Sequence, residues 1–127
     1  MNRLETKYHK LLEKNCIYDG FFRINEFVIQ KDEDNTNFKR FVVERPDATA
    51  ILLYNRKEDT IVFVKQLRAP AFGREDDPYL LELPAGVLEP GENPEETIIR
   101  EAHEETGYQI ANPQHISSFY ASPCTFS

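Results

Sequence analysis

The sequence predicts an α/β (α+β) domain on three observations. Short runs rich in Val, Ile and Phe follow one another, a glutamate-crowded segment carries helix start and stop signals, and the length suits a single core. At 127 residues the chain is large enough for one domain and too short to expect two. An apolar fraction of 40% and a charged fraction of 29% belong to an ordinary globular composition. There is no long apolar run and no signal segment at Met1, so a cytoplasmic protein without membrane contact is expected.

The elements follow in order. Residues 2–14, "NRLETKYHKLLEK", set Leu4, Tyr8, Leu11 and Leu12 at weakly helical spacing and read as a short helix or a mobile end. "FFRINEFVIQ" (21–30) and "FKRFVVER" (38–45) flank the polar "KDEDNTN" and read as a β-hairpin. "TAILLYN" (49–55) and "TIVFVKQLR" (60–68) repeat the arrangement around "RKED", the first run being apolar enough for a strand buried on both faces. A loop at "APAFGREDDP" leads to "YLLEL", a fifth strand that runs into Pro84, Ala85 and Gly86. Asn93, Pro94 and Glu96 then start a helix as cap, first residue and early acid, and Gly107 stops it. "HISSFYAS" (115–122) reads as a last strand.

A net charge of −7 opposes unspecific attraction to nucleic acid or anionic lipid. A phosphorylated substrate would need that field reversed locally, which divalent cations can do. Cys16 and Cys124 stand far apart without a CxxC or histidine cluster, so zinc and a disulfide framework are not indicated. Tyr18, Phe21 and Phe22 could stack on a base, although aromatic residues near a strand start more often belong to a core.

The acidic helix carries the chemistry. Residues three and four apart share a helix face, so Glu101 lies beside Glu104 and Glu105, and three carboxylates are expected to converge. Like charges at that spacing weaken a helix by about 0.2–0.5 kcal/mol per pair unless a cation binds between them. Hard oxygen ligands on a rigid element suit Mg²⁺ or Mn²⁺. Arg100 can pair with Glu96 one turn earlier or Glu104 one turn later. Gly86 and Gly91 bracket a loop that calls for positive φ or a close approach.

Gly86, five residues, Glu92, seven residues, then "REAHEETGY" resembles the signature of the Nudix hydrolases. "LELPAG", "KQLR" (65–68), "TAILLYN" and "FYASP" resemble its ADP-ribose pyrophosphatase and nucleoside-diphosphate-sugar hydrolase branch, over roughly residues 20–124. The resemblance implies a Nudix-type mixed-sheet α/β/α sandwich. Residues 1–45 would be an N-terminal antiparallel strand region used for dimerisation, and 46–127 the hydrolase domain.

By position, the resemblance makes Glu101 and Glu105 the main metal ligands, with Glu104 a further ligand or water-positioning group and the Ala85 carbonyl completing the site. Arg100 would orient the glutamates, Glu92 would support the cluster, Gly86 and Gly107 would shape loop and helix end, and Arg68 would contact substrate phosphates. The implied reaction is Mg²⁺-dependent hydrolysis of a nucleoside diphosphate sugar by a homodimer, with ADP-ribose giving AMP and ribose 5-phosphate. GDP-mannose or UDP-glucose is the alternative substrate, and a catalytically silent nucleotide-binding module the alternative function. Ser122, Pro123 and Cys124 stand where the branch usually reads Ser-Pro-Gly. Relatives carry a further glutamate, often the general base, past the point corresponding to Ser127, so a longer chain or a covering dimer partner is expected.

Overall fold

The computed structural model describes residues 6–74 and 76–123. They divide into two compact units, one of residues 6–45 with 117–123 and one spanning Pro46–Ile116.

The first unit is built on β1 (His9–Asp19), β2 (Arg23–Lys31) and β3 (Asn37–Glu44), an antiparallel sheet with β2 in the middle. β2 pairs along its length, from Arg23↔Glu44 to Gln30↔Asn37 on one side and from Asp19↔Arg23 to His9↔Lys31 on the other. The β2–β3 turn closes with Lys31 N–H donating to the Thr36 carbonyl at 2.9 Å. Asp34 accepts from the Thr36 amide at 3.0 Å and its hydroxyl at 2.6 Å, and Asn35 takes φ 55°, a conformation asparagine tolerates.

β1 overturns the helix or mobile end expected within residues 2–14; residues 2–5 of that stretch lie outside the described residues. An exposed amphipathic helix there would satisfy only its own backbone, whereas the strand completes the ladder that β2 offers on its open edge. Irregularities between Leu11 and Glu13 and between Cys16 and Tyr18 let β1 follow the twisted sheet. Tyr18 and Phe22 contact each other with ring centroids 5.6 Å apart, and Phe21 is 86% exposed, so these aromatics do not form a core.

The second unit contains β4 (Ala48–Ala50), β5 (Leu53–Asn55), β6 (Thr60–Val62), β7 (Val64–Leu67), α1 (Ala69–Phe72), β8 (Tyr79–Glu82), β9 (Ala85–Val87) and α2 (Pro94–Thr106). β4 pairs with β9, β5 with β6 and β7 with β8. Every ladder among the described residues is antiparallel, so the parallel pairing of a mixed sheet is not among them. The strand expected over 49–55 is two short ones with different partners, and it is not buried on both faces, since Leu52 and Tyr54 stand exposed. The run 60–68 likewise breaks at Phe63. β9 pairs with β4 where only a run-in to the helix was expected.

No strand forms over 115–122, contrary to expectation. A strand exists by pairing with a neighbour, and this stretch joins no ladder. Ile116, Phe119 and Tyr120 remain largely exposed.

α2 has the ends its sequence dictates. The Asn93 side chain accepts from Glu95 N–H at 2.9 Å, Pro94 occupies the first helical position, and Gly107 at φ 76° donates its N–H to the His103 carbonyl at 2.8 Å. The helix packs on β9 and β4. Ile98 and Ala102, at 4% and 0% exposure, form one buried i, i+4 row on it. Thr97, Glu101 and Glu105 form the adjacent row, so seating the apolar row against the sheet carries two carboxylates to its border.

Candidate functional site

Gly86 on β9 faces Glu101 on α2. A Cβ at residue 86 would stand 2.6 Å from the Glu101 carboxyl carbon and closer still to its Cγ, so the glycine makes room for the carboxylate. At the preceding residue, Ala85 N–H donates to Glu105 Oε2 at 3.3 Å. Two carboxylates one helical turn apart thus lie against two successive residues of one strand. Glu105 Oε1 accepts from the Gln66 side-chain amide at 2.7 Å, beside a cavity of about 450 Å³ whose other lining includes Val64, Lys65 and Thr106.

Arg100 is the electrostatic hub. Its guanidinium lies 2.7 Å from Glu101, 3.5 Å from Glu92 and 3.8 Å from Glu104. The pairing with Glu104 follows from helix spacing. Glu96, the other expected partner, is replaced by Glu92, because the loop opened by Gly91 at φ 88° brings that side chain to the helix start. Arg100 is held above its ordinary value, first by its hydrogen bond to Glu101.

Glu92 is fixed on both sides. One oxygen accepts from Glu89 N–H at 3.0 Å and from the Thr97 hydroxyl at 3.0 Å, while the other faces Arg100. These donors, the Glu89 amide first, hold the Glu92 carboxyl below the usual carboxylate range.

Arg68 follows β7 and forms a two-pronged pair with Glu82 of β8, its Nε donating at 2.7 Å and Nη2 also in contact. Each partner stabilises the charged form of the other, and the Glu105 charge adds to the effect on Arg68. The pair uses one edge of the guanidinium and leaves Nη1 outside it.

The expected convergence of Glu101, Glu104 and Glu105 does not occur. Among the described residues, no three His, Cys, Asp or Glu side chains gather as a metal-holding group. Each carboxylate has its own partners: Glu101 turns to Arg100, Glu105 to Gln66 and Ala85, and Glu104 to an outward, 58% exposed position. What remains together is a set of hard oxygens, namely the Glu101 and Glu105 carboxylates beside the backbone of Ala85. That donor chemistry fits a hard divalent cation, which commonly takes one or two carboxylates and completes its shell with water and phosphate oxygens.

Four residues that sequence reasoning did not single out belong to this arrangement: Gln66, Glu82, Glu89 and Thr97. Parity along a strand signals one of them, since Gln66 and Arg68 lie two apart in extended backbone and share a face. Of the cysteines, Cys16 is an exposed free thiol, and Cys124 lies outside the described residues. No helix among the described residues is long and apolar enough to cross a membrane.

A glycine-relieved strand facing a glutamate row on a capped helix defines an α/β domain with an oxygen-rich, carboxylate-lined site. The NUDIX domain pattern matches residues 44–126, and the chain belongs to that family. It is similar to a GDP-mannose pyrophosphatase of Yersinia enterocolitica, 37% identical over 125 residues that cover 95% of this chain and 62% of the relative. It is similar also to the ADP-ribose pyrophosphatases of Haemophilus influenzae, 32% identical over 121 residues, and Escherichia coli strain K12, 30% identical over 118; each alignment covers 90% of this chain and 56% of the relative. The chain therefore spans between 56% and 62% of the length of these curated relatives.

Proposed function

We propose that this protein hydrolyses the diphosphate bond of a nucleoside diphosphate sugar with the help of a divalent cation, Mg²⁺ foremost and Mn²⁺ as substitute. The observation that carries this reading is the placement of Glu105 and Glu101 against Ala85 and Gly86. The names of the similar proteins support the substrate class. ADP-ribose, yielding AMP and ribose 5-phosphate, is the substrate proposed first, with GDP-mannose and then UDP-glucose as alternatives. A cytoplasmic homodimer is proposed as the working form.

In this mechanism Glu101, Glu105 and the Ala85 carbonyl would hold the cation, with Glu104 as a further ligand or water-positioning group on the exposed side. The bound cation supplies charge neutralisation at the diphosphate and lowers the cost of displacement at phosphorus. Arg100 keeps Glu101 and Glu104 oriented, and Glu92, anchored by Glu89 and Thr97, keeps Arg100 in place. Gly86 leaves room for the Glu101 carboxyl, and Gly107 ends the helix two residues beyond Glu105. Arg68 is proposed to meet the phosphates with the guanidinium edge that Glu82 does not occupy.

Hydrolysis of ADP-ribose, GDP-mannose and UDP-glucose with and without Mg²⁺ tests the reading, with Glu105→Gln as control. Losing one ligand carboxylate is expected to lower kcat by roughly 10²–10³-fold, corresponding to several kcal/mol of metal-derived stabilisation. Metal-independent turnover, or turnover unaffected by the substitution, would sink the assignment.

A further inference from the structure

The Glu105 carboxylate is gripped from two different ladders. Gln66, on β7 of the β7–β8 pair, donates through Nε2 to Oε1 at 2.7 Å, and Ala85, on β9 of the β4–β9 pair, donates its N–H to Oε2 at 3.3 Å. The Gln66 bond is partly buried, and both donors are neutral. Each carboxylate oxygen has two acceptor positions, so both oxygens keep one. We propose that Gln66 is a positioning residue that fixes the Glu105 carboxylate for binding a divalent cation. The inference rests on the metal reading given above and adds to it the residue that orients the ligand.

The residue type fits the task. A lysine or arginine at residue 66 would neutralise Glu105 and compete with the cation, and an acid would push the carboxylate away. Serine or asparagine is shorter and lacks the span between β7 and the helix row. A glutamine supplies a neutral donor on a long stem, so it sets direction without spending the ligand's charge. The adjacent Lys65 turns its ammonium to the Tyr79 ring, 5.8 Å from the centroid. Donors that hold the far side of a metal ligand typically govern affinity as well as orientation.

The test is Mn²⁺ titration of the full chain by calorimetry, comparing wild type, Gln66→Met, Glu105→Gln and the double variant. Gln66→Met keeps the length of the side chain and removes only the amide, and Gln66→Ala serves as the second variant should the first misfold. The expected result is a rise in Kd for Mn²⁺ of about 10–100-fold in Gln66→Met. A positioning role further requires that the substitution cause no additional loss in the Glu105→Gln background, because the two residues then act as one unit. A Kd within twofold of wild type, or losses that simply add, overturns the inference while leaving the metal reading standing. Wild-type protein that binds no Mn²⁺ overturns both, and the thermal midpoint of each variant without metal separates lost binding from lost fold.

Discussion

The sheet of residues 9–44 and the region from Pro46 to Ile116 reach order by opposite means. The sheet has three strands of eleven, nine and eight residues, joined by long ladders, and its fully buried polar residue is Asn25 at 1% exposure. The second region has ladders of three or four residues and, apart from Pro84 just ahead of β9, gathers its buried side chains, Thr97, Ile98 and Ala102, on a single helix. Backbone pairing carries the first, and side-chain seating of α2 carries the second. Only the second kind of order can place a carboxylate against a chosen backbone residue, because ladder register fixes strands and not the helix above them.

The sharpest way to break this contrast is to empty the helix seat. Ile98→Ala removes most of a side chain that is only 4% exposed and is expected to cost about 2–5 kcal/mol. Phe41→Ala on β3, at a residue 45% exposed, should cost less than half as much, although it deletes more atoms. Urea unfolding with unchanged slope provides both values. Equal costs would mean that the sheet also depends on side-chain packing and that the contrast is misdrawn.

A smaller effect on stability and a specific one on activity are expected from Gly86→Ala. The added methyl group collides with the middle of the Glu101 side chain, which can swing away, so the fold yields at the carboxylate before it yields elsewhere. Overpacking of this kind costs about 1–3 kcal/mol. A misplaced catalytic group lowers kcat by roughly 10²-fold, so loss of turnover should far exceed the loss of folded protein measured in the same preparation. Parallel losses would assign Gly86 to packing alone.

The same contrast governs how much could be read in the sequence. α2 was legible because its signals are local: a capping Asn93, Pro94 in the first turn, Gly107 at positive φ, and a glutamate row at i, i+4. Glu101 and Glu105 were legible for that reason, and Gly86 and Gly91 because one must accept a close approach and the other a left-handed backbone. The partners of these residues were not. Gln66 is 39 residues from Glu105, and Arg68 is 14 from Glu82, so only the folded arrangement of helix and strands brings them together. β1 was misread because its weak helical spacing is a property of the segment, while the edge of β2 that captures it is a property of the fold. The separate partners of the carboxylates, Arg100 for Glu101 and Gln66 for Glu105, are supplied by the fold, which residue spacing alone does not encode.

Acid titration sharpens the comparison with the smallest effect, and Asp34 in the sheet and Glu92 beside α2, both held below their ordinary values, are the pair to compare. Glu92 is lowered first by the Glu89 amide and then by Thr97, with Arg100 opposite, and Asp34 by the hydroxyl and amide of Thr36 in the β2–β3 turn. A carboxyl depressed in the folded state contributes stability that is fully present above its unfolded value. That contribution disappears as pH falls through the folded value. Both losses therefore lie on the acid side, below 4.5 for Glu92 and below 3.8 for Asp34. Thermal midpoints followed from neutral pH down to about pH 3 should fall less steeply in Glu92→Gln than in wild type. Asp34→Asn should flatten the curve less, because Asp34 bonds to a residue only two positions on within one turn whereas Glu92 ties a loop to the start of α2. If the two substitutions flatten the acid limb equally, the Glu92–Thr97–Arg100 cluster is no more than another surface turn. The seating of the glutamate row would then depend on Ile98 and Ala102 alone.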